Sequence, residues 1–177
     1  MRSTLTPRAA RLVLGAALLL GGCSDPGLLE PNPTVAAYTT SNGQSLVRCP
    51  SSITRSVSGT FGLLGGSLEL DGTRVTIPFG AVLLPTRITL TLPASSYMEV
   101  DLTANALDHF QFPVPVHVTI DYSRCPAASI DQAAPLHVWY IDILTDLLLE
   151  NMRGTDDRAR RTITFSTIHF SGFSIAQ

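Results

Sequence analysis

Residues 65–92, GGSLELDGTRVTIPFGAVLLPTRITLTL, limit what this chain can fold into more than any other stretch. Residues 67–70 alternate apolar and polar up to the pair Asp71-Gly72. Both members of that pair tolerate positive φ, so two residues can reverse the chain in a turn whose twist suits the flanking strands. Beyond the turn Val75 and Ile77 point to one face, Arg74 and Thr76 to the other. Pro78 has no N–H for a ladder and ends the pairing, and Gly80 permits the bend that follows. Alternation then resumes over 87–92, with Ile88, Leu90 and Leu92 inward and Arg87, Thr89 and Thr91 outward. A period of two, renewed after each tight turn, is the pattern of antiparallel strands.

The rest of the chain continues it. Residues 58–64 read as a first short strand broken by Gly65-Gly66, and 116–122 as a strong one with Val116, Val118 and Ile120 inward. Residues 136–141 carry the single tryptophan, Trp139. Residues 147–152 fit a strand or a helix turn, and their neighbours favour the strand. Residues 162–168 alternate, Gly172 interrupts, and 173–176 form a final short strand. Strands of this length and spacing predict an all-β protein, an antiparallel β-sandwich.

With 45% hydrophobic and 15% charged residues, the chain can bury a core. Its length suits one domain with a segment removed in front. Arg2, Arg8 and Arg11 precede an apolar run over 12–20, too short to span a bilayer but right for a secretion signal. Without them, nine arginines face fourteen acids, a net charge of −5. Lysine is absent. A mildly acidic chain with no basic run is unsuited to nucleic acid, whose phosphates require clustered cations.

The apolar run ends in Leu20-Gly21-Gly22-Cys23, which resembles the bacterial lipoprotein box. The resemblance implies removal of residues 1–22 and lipidation (diacylglyceryl and palmitoyl-type chains) of Cys23. It also implies a lipid-anchored protein on the exported side of the cell envelope. Ser24 stands where an aspartate would retain some lipoproteins at the inner membrane, so the implied address is an outer membrane where the cell has one. The other reading is an ordinary signal peptide with an incidental Cys23. Residues 23–45, rich in Pro, Gly, Ser, Thr and Asn, read as anchor and tether, and 46–177 as the folded domain.

Cys49 and Cys125 remain, each followed by proline. A disulfide and two free thiols are both open, and export favours the disulfide. Two cysteines without CxxC spacing give no tetrahedral metal constellation.

A glycine pair, a strand, a turn, V-x-I-P-x-G-A and a T-x-I-x-L strand together resemble the zonula-occludens and Unc-five type (ZU-five-type) domain. The matching residues are Gly65, Gly66, Val75, Ile77, Pro78, Gly80, Ala81, Thr86, Ile88 and Leu90, with Phe112-Pro113-Val114-Pro115-Val116 and His169-Phe170-Ser171 further on. That module occurs in ankyrins, netrin receptors, death-domain adaptors and many bacterial exported proteins. The resemblance covers residues 58–176 and implies an antiparallel β-sandwich.

No nucleophile elbow, phosphate loop or dinucleotide fingerprint is present. His109, His117, His137 and His169 lack ligand spacing, although His117 and His137 fall on strands that could be neighbours. Asp142, Asp146, Asp156 and Asp157 lie in loop-like sequence without the order of a calcium loop, and solvated turns are the better reading. His169-Phe170-Ser171 is the sharpest chemical feature. In some members of the resembling family such a tripeptide is cut between Phe and Ser. Here Ser171 Oγ would attack the Phe170 carbonyl, His169 would take the proton, and water would hydrolyse the ester. Backbone strain would be needed to raise the amide. The plainer reading is a structural turn with Phe170 in the core. The expectation is therefore a non-enzymatic binding or scaffolding sandwich with no cofactor, meeting the membrane through Cys23 and an envelope protein or polymer through its own surface. Self-cleavage is the alternative.

Overall fold

In the computed structural model, residues 43–105 and 110–177 are described. The first strands are β1 (Arg48–Ser51), β2 (Arg55–Phe61), β3 (Gly66–Leu70), β4 (Thr73–Ile77) and β5 (Thr86–Leu92). β6 (Ser95–Tyr97), β7 (Glu99–Ala104) and the long β8 (Gln111–Asp121) follow. The last five are β9 (His137–Asp142), β10 (Leu147–Arg153), β11 (Thr155–Asp157), β12 (Thr162–His169) and β13 (Gly172–Ala176). Among the described residues the only helical turn is a 3-10 segment, Ala127–Ser129.

The protein is an antiparallel β-sandwich. A six-stranded sheet, β10-β9-β13-β7-β5-β2, faces a five-stranded sheet, β11-β12-β8-β4-β3, and β1 with β6 forms a small ribbon beside them. The alternation read in the sequence explains why the sheets meet. Val75 and Ile77 of β4, Val116, Val118 and Ile120 of β8, and Ile163 and Phe165 of β12 turn inward. They join one core with Ile88, Leu90 and Leu92 of β5, Val100 and Leu102 of β7, and Phe173 and Ile175 of β13. Each such side chain contributes about 1.5–3 kcal/mol on burial. Among the described residues the core, both sheets and the disulfide fall within residues 46–176.

The β3–β4 turn takes the form its residues favour: Asp71 and Gly72 have φ of 49° and 79°, and Leu70 pairs directly with Thr73. Residues 147–152 are a strand, β10, as their neighbours indicated. Several boundaries move. The first strand of the expected set is β2, Arg55–Phe61, and Gly62 to Gly65 is a turn closed by the Gly65 N–H donating to the Gly62 carbonyl at 2.9 Å. Gly172 does not interrupt a strand but begins β13. The run between 142 and 157 is not loop but a β9–β10 hairpin followed by β11, with Asp156 and Asp157 paired to Ile163 and Thr162. Backbone pairing reaches just beyond the expected boundary at 46, because Ser45 and Gln177 exchange hydrogen bonds of 2.9 and 3.0 Å.

Register gives the sandwich two distinct ends. Gly172 pairs with both Asp101 and Ile141, Ile88 with Ala104, and Phe61 with Thr86. The turns after β2, β4, β9 and β12 therefore share one end. At the other lie the Asp71-Gly72 turn, the disulfide, and Leu46, which bridges Ala176 where the chain enters.

Candidate functional site

The entry end is built for cohesion. Cys49 of β1 is bonded to Cys125 with an S–S distance of 2.07 Å and Cα atoms 4.5 Å apart. Around it, the Arg161 guanidinium donates to the Cys125 carbonyl (2.7 Å), and Tyr122 donates its phenol hydrogen to Asp156 (2.6 Å). Arg158 pairs with Asp156 and also donates to the Ala134 carbonyl at 2.6 Å. Burial, and then the bond to Asp156, pushes the Tyr122 hydroxyl far above its ordinary pKa, so it stays protonated. Every charged group named here has a protein partner, which marks a structural network. Cys23 and His109 lie outside the described residues.

At the opposite end, three segments gather. The Gly80 N–H donates to the Leu63 carbonyl at 2.9 Å, which ties the turn at 62–65 to the β4–β5 loop. Gly65 sits so close beneath that loop that a Cβ there would lie 2.1 Å from the Ile77 carbonyl oxygen. Val114 of β8 touches the same place, 3.9 Å from where a Cβ on Gly80 would stand. Ala81 and Val82 are buried and pin the loop to the core. Their neighbours point the other way: Leu64, Phe79, Leu83 and Leu84 are 84, 66, 68 and 75% exposed. A cavity of about 360 Å³ lies beside them, lined by Leu83, Leu84, Pro85, Phe110 and Pro113 among others. These residues were not singled out in the sequence. The signal was there, since GLLG and PFGAVLLP put large apolar side chains inside turns that Gly and Pro mark and that polar residues ordinarily fill.

The His169-Phe170-Ser171 corner is at this same end and carries the chain from one sheet to the other. Phe170 is fully buried, its ring edge-on to Phe112 at 4.5 Å, and its N–H donates to the Phe110 carbonyl. The His169 ring packs against Tyr140 at 5.3 Å, and Thr167 Oγ1 donates to the His169 carbonyl at 2.8 Å. The Ser171 carbonyl accepts from the Leu102 N–H. Ser171 also lines a cavity of about 390 Å³ with Asp101, Tyr140, Ile141 and Asp142. None of the three residues takes a positive φ.

No family model matches this chain, and no curated protein matches it in sequence.

The other residues of interest are dispersed. His117 and His137 are not on neighbouring strands: β8 and β9 belong to opposite sheets, and His117 faces outward, bonded to Ser166 Oγ at 2.9 Å. Asp142 and Asp146 share the β9–β10 turn, where the Asp142 carboxylate caps the Leu144 N–H at 2.9 Å. Burial and the neighbouring Asp142 charge raise the Asp146 carboxyl above its ordinary value. Glu99, on the outer side of β7, is raised chiefly by burial, and the Asp146 charge adds to it. A 2.5 Å hydrogen bond from Ser95 Oγ pulls the other way.

Proposed function

We propose that this protein is an exported, lipid-anchored envelope protein whose ZU-five-type sandwich binds or scaffolds at the membrane surface without catalysis. The observation that carries the reading is the division of labour between the two ends. The chain joins the domain beside a disulfide, the kind of bond kept in exported proteins, and the exposed apolar loops sit at the far end. Cys23 would hold the membrane, residues 24–43 would join it to the domain, and the far end would carry the binding surface. The antiparallel sandwich agrees with the fold that the family resemblance implies.

The test is the mass of the full chain recovered from a cell that processes lipoproteins. Loss of residues 1–22 with added acyl mass on Cys23 supports the anchor, and cleavage elsewhere with an unmodified cysteine refutes it. The same spectrum, taken under denaturing conditions, addresses self-cleavage. β13 is hydrogen-bonded on both sides, by β7 and β9, so a peptide released after Phe170 would stay in place until the fold is undone. A species ending at Phe170, abolished by Ser171→Ala, would replace the non-catalytic reading with the self-processing one.

A further inference from the structure

Leu63, Leu64, Phe79, Leu83 and Leu84 form one apolar tip with Val114, and the fold spends no core packing on their exposed parts. The two turns and their flanks hold no ionisable residue: none lies between Arg55 and Glu69, and none between Arg74 and Arg87. We propose that this tip inserts into the interfacial layer of a lipid bilayer, giving the domain a second membrane contact at the end opposite its tether.

Three observations favour lipid over a protein partner. The exposed side chains stand on protruding turns, a form that enters fluid acyl chains without needing a matched surface. The turns are braced from below, by the Gly80–Leu63 hydrogen bond and the buried Ala81 and Val82, so apolar side chains can be pushed into lipid without the loops folding back. The third observation is reach, and it rests on the proposed anchor at Cys23. Gly43 is twenty residues beyond Cys23, and a chain of that length extends to about 70 Å. A seven-residue strand such as β5 is about 24 Å long. The tether can therefore run the length of the sandwich and let the tip lie on the membrane that holds the anchor. A mature chain of net charge −5 gains nothing from anionic headgroups, so the attraction has to be apolar.

The chain beginning at Ser24, which has neither leader nor acyl group, is mixed with phosphatidylcholine vesicles and floated on a density gradient. The expected result is co-flotation that high salt does not reduce. Leu64→Ser with Leu84→Ser should lower the partition coefficient by about tenfold or more, since each exposed leucine forfeits its transfer into apolar surroundings. Ile53→Ser, at the entry end, should leave it unchanged. Equal melting temperatures of the three proteins show that the fold is intact. The proposal is overturned if the chain does not float or if the double variant floats equally well. Binding that requires anionic lipid and fails in salt overturns it too. Self-association abolished by the double variant, without vesicle binding, would assign the tip to a second copy instead. Because this chain lacks Cys23, a negative result speaks only about the tip, and the mass of Cys23 speaks only about the anchor.

Discussion

Replacing Cys49 and Cys125 together by alanine tests how much of this fold depends on its one cross-link. The bond joins residues 76 apart, and both cysteines are buried, at 1 and 2% exposure. Closing a loop of that length removes about 15 cal/mol/K from the unfolded chain, or about 4.5 kcal/mol at 25 °C. Unfolding about 130 residues releases roughly 0.27 kcal/mol/K, so the double variant should melt about 16 °C lower, with the two vacated sulfur positions adding a little more. Substitution is a cleaner perturbation than a reducing agent, because a buried bond resists attack until the domain opens. Circular dichroism melts of the chain from Ser24 and its double variant measure the shift directly. A drop of less than about 5 °C would refute the reasoning. It would mean either that the unfolded chain is already compact around these residues, or that the bond is not formed. The mass of the parent chain before and after reduction separates those two.

Gly65→Ala should destabilise the domain by about 2–4 kcal/mol, from its φ of 71° and the backbone oxygens its Cβ would strike. Gly62→Ala, with open space around it, should be nearly neutral, and urea titration of the pair checks the contrast. Phe170→Ala empties a fully buried site against Phe112 and should cost about 3–5 kcal/mol by the same titration. Glu99 binds its proton more tightly folded than unfolded, because burial raises it above its ordinary 4.5. Its contribution is therefore intact below pH 4.5 and is lost as pH rises through the folded value. Glu99→Gln should flatten that decline and raise stability at neutral pH relative to the parent, as melting curves across the range would show. An unchanged slope would mean the carboxyl is solvated.

Local pattern was most informative where one residue has one physical consequence. Asp71-Gly72 specified its turn, Pro78 ended β4, and the alternation of β4 and β5 named the buried faces correctly. Strand β8 shows where such reasoning stops. The alternation marks a strand only from Val116, yet the strand begins at Gln111 and takes in Pro113 and Pro115, which lack N–H groups. Those prolines are tolerated because β4 pairs β8 only from His117 to Thr119, and a bulge follows Thr167 on the other side. The ladder makes no demand on their nitrogens. Strands β6 and β7 passed unnoticed because only Met98 separates them, with no turn residue to punctuate the run. β11 was hidden by its charge, since Thr155, Asp156 and Asp157 offer no apolar alternation and it pairs with β12 along one edge. The order of strands in each sheet, and hence the gathering of the exposed leucines at one end, depends on contacts between distant segments that no local pattern encodes.

The placing of β13 sets a timetable. It is the last of the thirteen strands among the described residues, yet it lies in the interior of the six-stranded sheet, with β9 on one side and β7 on the other. Until Gly172 to Ala176 arrive, those two strands confront each other across a gap one strand wide, about 10 Å, which neither can close. Phe173 and Ile175, which seal that part of the core, are missing for the same interval. A ribosome has to release residue 176 before the sheet becomes continuous, so the strands made earlier wait for the last one before this domain can close.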